Sequence, residues 1–281
     1  MNSLGLDLSA RGHARAVVVD AAGTVAGRAD ADDPRQAVHD ATHGQAADVA
    51  GIASPIEHPD VVLAEPRVVV RCTPGAAAVS AEHWIGAARG AQHAVCLHVG
   101  EDVFAGLLLD GKPWSGAHNR AGMAAWLALN PVERQDYRRL GSLAAEISAK
   151  GIARRLSWRI QAGDRSRVLE AAGGSLDAIT GAMVFEGARG GDGVAISVIR
   201  DTAKYIGMAV ATLAAAIDPE VVVVSGSVAA ADLMIEPVRQ ECARRLPPEW
   251  MTELRVEFST LGPDAIAIGA ARIAQLERSA R

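Results

Sequence analysis

The sequence has little with which to bind nucleic acid, cross-link itself or enter a membrane. Aromatic residues make up 4% of its 281 positions, too few for a platform on which successive bases stack. Lys and Arg number 28 against 33 Asp and Glu, a net charge of −5. The basic stripe that phosphate backbones require is therefore missing. The three cysteines, Cys72, Cys96 and Cys242, are odd in number and far apart, which suits neither a disulfide framework nor a thiolate metal site. No run approaches the roughly 20 apolar residues of a membrane span. The opening MNSLGLDLSARG carries Asp7 and enters a strand at once, unlike a signal peptide. A reduced, cytoplasmic protein is expected, with neither nucleic acid nor membrane as partner.

What is present is a core. Hydrophobic residues are 49% of the chain and charged ones 22%, a globular composition with enough length for one large domain or two modest ones. Leu4–Leu8, Ala14–Asp20 and Thr24–Arg28 read as three opening strands with a turn at Asp20–Gly23. Residues 29–49 suggest a weak helix, and 51–65, with two prolines, an irregular stretch. Residues 66–71 form a strand that breaks at Cys72-Thr73-Pro74-Gly75 into an alanine-rich helix. Strands follow at 93–99 and 102–109, then a long polar connection over 116–142. Helical periodicity resumes at Leu143 and predicts helices over 176–188, 193–217, 231–246 and 264–277. They are interrupted by strands at Val221–Val224 and Val256–Ser259.

A strand that stops at the mouth of a helix is where α/β proteins usually keep a reactive group. Here that junction offers one nucleophile, Cys72, and no acid or base. Thr73 suits an N-cap and Pro74 the first helical position, where a missing N–H costs nothing.

The run AIDPEVVVVSGSVAAADLMIEPVRQECARRL, residues 216–246, resembles the nucleotide-binding segment of the ROK family of sugar kinases and repressors. LGPDAIAIGAARIA (261–274), FEGARGGDGVAISVIRDTAKYIG (185–207), EHWIGAARG (82–90) and GLLLDGKPWSGAHNRAG (106–122) match that family as well. GSLAAEISAKGIARR (141–155) resembles the segment after its zinc site. The resemblance covers nearly the whole chain. It implies an α/β, two-lobe actin/hexokinase-like (ribonuclease H-like) fold with an abbreviated N-terminal lobe at 1–75. The C-terminal helix, 264–281, would pack back on that lobe. Residues 76–263 would form a nucleotide-binding-like lobe that also carries oligomerisation, and a homodimer is expected.

The same resemblance marks what the chain has changed. Family kinases place a catalytic aspartate where Pro74 stands, and proline can neither take a proton nor donate one. Their first phosphate loop, Asp-Xaa-Gly-Gly-Thr, is Asp7-Leu8-Ser9-Ala10-Arg11 here. Their second, glycine-rich loop is Gly100-Glu101-Asp102-Val103-Phe104, which sets two carboxylates where phosphate would lie. The sugar motif Glu-Xaa-Gly-His aligns with Met123-Ala124-Ala125-Trp126, and Ser142 takes the place of the last zinc cysteine. Residues 123–142 hold no Cys or His, so no zinc is expected.

These departures predict a kinase-like protein that has lost ATP-dependent sugar phosphorylation and serves as a binding or regulatory module for a small sugar or a protein partner. Nothing in the chain resembles the helix-turn-helix of the family's repressors. Asp7, Gly100, Gly226 and Ser227 stand as remnants of a nucleotide site, and Met123 and Trp126 are expected to fill the former sugar site. Glu101 and Asp102 with Asp7 form a conceivable hard-cation site, although a solvated hairpin rim is the plainer reading. The alternative is an active kinase of an unusual hydroxylated substrate that uses ATP and Mg²⁺, with Glu65, Glu101 or Asp102 as base. A purely structural subunit is the third class.

Overall fold

A computed structural model describes residues 2–10, 12–43, 47–55 and 68–280. The chain opens with β1 (Ser3–Asp7), β2 (Ala14–Val19) and β3 (Val25–Ala31), followed by α1 (Pro34–Thr42), β4 (Val49–Ala53) and β5 (Val69–Cys72). Then come α2 (Pro74–Ile85), β6 (Ala94–Val99), β7 (Val103–Leu109) and the short β8 (Lys112–Trp114). Five helices follow a 3₁₀ turn at Ala124–Trp126: α3 (Gln135–Leu140), α4 (Ser142–Ile147), α5 (Ala149–Gln161), α6 (Arg167–Ala171) and α7 (Gly181–Arg189). The chain closes with α8 (Gly193–Ile217), β9 (Val221–Ser225), α9 (Ala231–Ala243), α10 (Trp250–Glu253), β10 (Arg255–Phe258) and α11 (Ala265–Ser279).

Two five-stranded sheets organise these elements, in the orders β3-β2-β1-β4-β5 and β10-β9-β6-β7-β8. In the first sheet β1, β2 and β3 are antiparallel, while β1, β4 and β5 run parallel. The chain separates into two compact units, residues 1–98 with 105–122 and 259–281, and residues 99–104 with 123–258. The boundary expected at residue 75 falls within α2, whose whole length belongs to the first unit.

The first unit is built on close backbone approach. Helix α11 packs on β1, β4 and α2. A Cβ placed on Gly51 would lie 1.9 Å from the Ala270 carbonyl oxygen, and one on Gly269 would lie 1.7 Å from that of Ala77. Only glycine allows the helix to seat on both its neighbours at these spacings. This explains β4, which the sequence presents as irregular. Its residues VAGIA are all buried, yet a mid-strand glycine and two alanines carry a weak strand signal.

The second unit is mainly helical. Asp192 caps α8 by accepting from the Ala195 N–H at 2.9 Å. Helix α8 ends on Asp218 in the left-handed region, φ +54°. The helix expected over 176–188 is a 3₁₀ turn at Leu176–Ala178 and then α7, which Thr180 caps through Met183 N–H. The cap competes with continuous helix at that point. Part of the polar connection is also ordered, as α3. Among the described residues, no helix is long and apolar enough to cross a membrane.

Candidate functional site

In the first unit Asp7, Ala53 and Cys72 form one row across β1, β4 and β5, at the ends of three parallel strands. Ser9 N–H donates to Asp7 Oδ1 at 2.8 Å. Burial raises the Asp7 carboxyl above its ordinary range, against the Ser9 hydrogen bonds and the positive charge of Arg15 and His13. Arg15, the cross-strand partner of Asp7, is itself committed to Asp30 at 2.7 Å and lies 3.6 Å from Asp264. Burial, with help from the Asp7 charge, pushes the Cys72 thiol up to about 12. A thiol held protonated is a poor nucleophile. His98 is likewise held neutral, burial pulling it down to about 4.

At the end of that row the chain turns into α2. Thr73 Oγ1 accepts from Ala76 N–H at 3.2 Å, and Pro74 occupies the first turn with its side chain buried. The helix start is pressed against β7. A Cβ on Gly75 would lie 2.3 Å from the Ala105 carbonyl oxygen, and one on Gly106 would lie 1.9 Å from that of Gly75. The junction is thus a well-made cap, with its hydroxyl spent on the helix and its remaining side chain a proline.

In the second unit Gly100 lies in a tight turn, donating to the Asp102 carbonyl at 3.0 Å and accepting from Ala149 N–H at 2.8 Å. Glu101 pairs with Lys150 at 3.3 Å, and both side chains are exposed. Among the described residues, no three His, Cys, Asp or Glu side chains gather as a metal site. Glu65 lies outside the described residues. Gly226, φ +98°, turns β9 toward α9, and the turn is fixed by Val228 N–H donating to Val99 O at 3.0 Å. Ser227 is exposed. Met123 and Trp126, expected to fill a pocket, are each 53% exposed, because the 3₁₀ turn that carries them buries only Ala124.

The most elaborate side-chain cluster of the second unit was not visible from sequence. Glu146 is buried on α4 and takes three donors, Arg134 Nη1 at 2.9 Å, Tyr137 Oη at 2.5 Å and Arg155 Nη2 at 2.5 Å. Asp136 takes Arg134 Nη2 at 2.6 Å and Arg154 Nη2 at 2.9 Å. The Arg134 guanidinium stands 4.6 Å from the Tyr137 ring centre and 4.9 Å from that of Trp158, and Arg154 lies 4.7 Å from the same indole. The only sequence hint is an excess of arginine around a lone Glu146 on an otherwise apolar helix face.

Comparison with known proteins gives a consistent picture. The ROK family pattern matches residues 9–277. A glucokinase of Halalkalibacterium halodurans is 30% identical over 196 residues, covering 67% of this chain and 58% of that protein. A Thermotoga maritima glucokinase is 30% identical over 200 residues, covering 69% and 62%. The chain thus spans less than two thirds of the length of the glucokinases it matches. The N-acetylglucosamine repressor of Shigella flexneri is 25% identical over 163 residues, 58% of this chain and 39% of its own. Among solved structures, a ROK family glucokinase from Streptomyces griseus, in complex with glucose and AMPPNP, superposes with a TM-score of 0.84. It is 24% identical and covers 98% of this chain and 100% of that one. This shared fold is the two-lobe one expected from sequence.

Proposed function

Because the chain belongs to the ROK family, and is sugar kinase-like within it, we propose that it has given up ATP-dependent phosphoryl transfer and works as a binding or regulatory module. The observation that carries this reading is the junction at the end of β5. The position that would present a general base holds Pro74, buried in the first turn of α2 directly after its cap, Thr73. Loss of a positioned base typically costs about 10²–10⁴-fold in rate. Among the described residues, the polar side chains nearest this junction do not replace it. Asp7 is buried and already hydrogen-bonded to Ser9, and Cys72 is held protonated.

The phosphate side supports the same reading. Ser9 and Ala10 add β-carbons where backbone amides would have to approach an anion. Glu101 and Asp102 put negative charge on the second turn. What persists, the Gly226 turn and the strand-to-helix geometry around it, is compatible with a retained small ligand such as a sugar or a nucleotide, or with a protein partner. A homodimer in the cytoplasm is the setting we propose for it.

One observation favours the rival reading, an active kinase of an unusual hydroxylated substrate. Asp7 keeps its place at the end of β1, on the row that ends at the α2 junction. A coupled assay of ADP release, run over a panel of hexoses and amino sugars with Mg²⁺, separates the two. The proposal predicts release no faster than without sugar. Sugar-dependent release that disappears in Asp7→Ala supports the kinase.

A further inference from the structure

The segment from Met123 to Ser142 poses a physical problem of its own. It contains one 3₁₀ turn and one six-residue helix, and its fully buried apolar or aromatic side chains are those of Ala124 and Tyr137, with Leu127 and Leu129 half-buried. Two fully buried and two half-buried side chains leave little apolar burial to offset the entropy of ordering twenty residues. The family resemblance implies a zinc site in this part of the chain. The donor set for a metal fails here. Between 123 and 142 there is no Cys or His, whereas a structural zinc takes four, mostly sulfur and imidazole. The two carboxylates in the segment, Glu133 and Asp136, are engaged with Arg138 at 2.6 Å and with Arg134 and Arg154.

What crosses from this segment to the rest of the second unit is charge and π-stacking. Arg134 reaches Glu146 on α4 and stacks on Trp158 of α5. Tyr137 donates to the same Glu146. Asp136 receives Arg154 of α5. The anchor itself is braced from behind, since Arg155 binds Glu146 through both its carboxylate and its backbone carbonyl, at 2.5 and 2.7 Å, and Thr202 of α8 at 3.2 Å. Arg154 also donates to the Ala145 carbonyl at 2.6 Å. Three guanidiniums, two carboxylates, a phenol and an indole therefore form one connected set, with Glu146 at its centre. A carboxylate with three charged or hydroxyl donors is a strong junction so long as every partner is present, and a costly one when any is removed.

We infer that this set is a metal-free clasp. It holds the 123–142 segment on α4 and α5, and so fixes where Met123 and Trp126 are presented, in place of a bound metal. The inference concerns how the segment is held and stands whether or not the protein transfers phosphate.

Hydrogen exchange on the full-length protein tests it, with Glu146→Gln as the near-isosteric break. A neutral amide keeps the shape but cannot balance Arg134 and Arg155 together. The expected result is exchange about tenfold or more faster in the amides of 123–141, with β9 and the centre of α8 unchanged. Dialysis of the wild-type protein against a zinc chelator should leave the same amides as slow as before. Unchanged exchange in Glu146→Gln overturns the inference. So does stoichiometric zinc in the purified protein whose removal speeds exchange in the segment. If Glu146→Gln loosens the whole unit, the rim variant Arg134→Met decides the matter. Selective loosening of 123–141 supports the clasp, and uniform loosening or none overturns it.

Discussion

Asp7 and Cys72 share a single strand row, each paired with Ala53 between them, and the carboxylate adds to the burial that holds the thiol near 12. Both groups are thus held toward their neutral forms, and the influence between them runs from Asp7 to Cys72. Burial raises the acid, and burial with the acid's negative charge raises the thiol. A site arranged in this way is suited to packing more than to proton transfer.

Two outcomes follow for this pair. Alkylation of Cys72 by iodoacetamide, followed by mass spectrometry of its peptide, should be negligible at pH 8, since a thiol of pKa about 12 is on the order of 10⁻⁴ ionised there. Asp7→Asn should lower the midpoint for Cys72, but leave it above the ordinary 9.0, because burial is the larger cause. The same variant reports on stability. A carboxyl raised in the folded state binds its proton more tightly there than in the unfolded chain, so wild-type stability declines as pH rises through and above the ordinary 3.8. Asp7→Asn should remove that decline, so its melting temperature relative to wild type increases between pH 4 and pH 7.

His98 gives the opposite sign. Its folded value, about 4, lies below the ordinary 6.5, so the unfolded chain binds a proton that the folded one refuses. Its contribution is fully present above about pH 6.5 and is lost as pH falls toward 4. Urea titrations at pH 7, 5.5 and 4.5 should show a slope over this window that is smaller in His98→Asn.

The junction itself predicts a pair of stability effects. Thr73→Ala removes the cap on α2 and should cost about 1 kcal/mol in urea unfolding. Gly75→Ala should cost more, about 1–3 kcal/mol, because its Cβ would meet backbone, the Ala105 carbonyl at 2.3 Å, which cannot swing aside.

Restoring an acid at the junction should not restore chemistry. Pro74→Asp returns a carboxylate near the end of β5, but Ser9, Ala10, Glu101 and Asp102 still stand where the family resemblance implies glycine-rich phosphate loops. ADP release by this variant, with and without sugar, is expected to equal that of the wild type. Clear sugar-dependent turnover would mean that the base alone had been missing.

The architecture was largely legible in the sequence, for reasons that can be traced to particular residues. Val221–Val224 and the long α8 announce themselves by uniform burial and by length, and Thr73-Pro74 by its capping chemistry. Strand β4 did not, because Gly51 is there to admit α11 rather than to fill a sheet face. The break before α7 lies at Thr180, whose preference for a cap over a helix interior a single helix over 176–188 passes over. Met123 and Trp126, expected to fill the former sugar site, ride on a turn that buries only Ala124. The Glu146 cluster joins residues from Arg134 to Thr202. Such a cluster exists only after α3, α4, α5 and α8 have come together, so no local pattern announces it. Pro74 was legible as a helix start from the outset, and the structure adds that the start is pinned to β7 through Gly75 and Gly106.

The central claim, that phosphoryl transfer has been given up, is tested most directly under single-turnover conditions. The protein in excess is mixed with γ-labelled ATP, Mg²⁺ and saturating glucose or N-acetylglucosamine, and labelled sugar phosphate is followed for hours. The account predicts no sugar phosphate above a protein-free control. Labelled sugar phosphate formed in a single turnover, and abolished by Asp7→Ala, would contradict it.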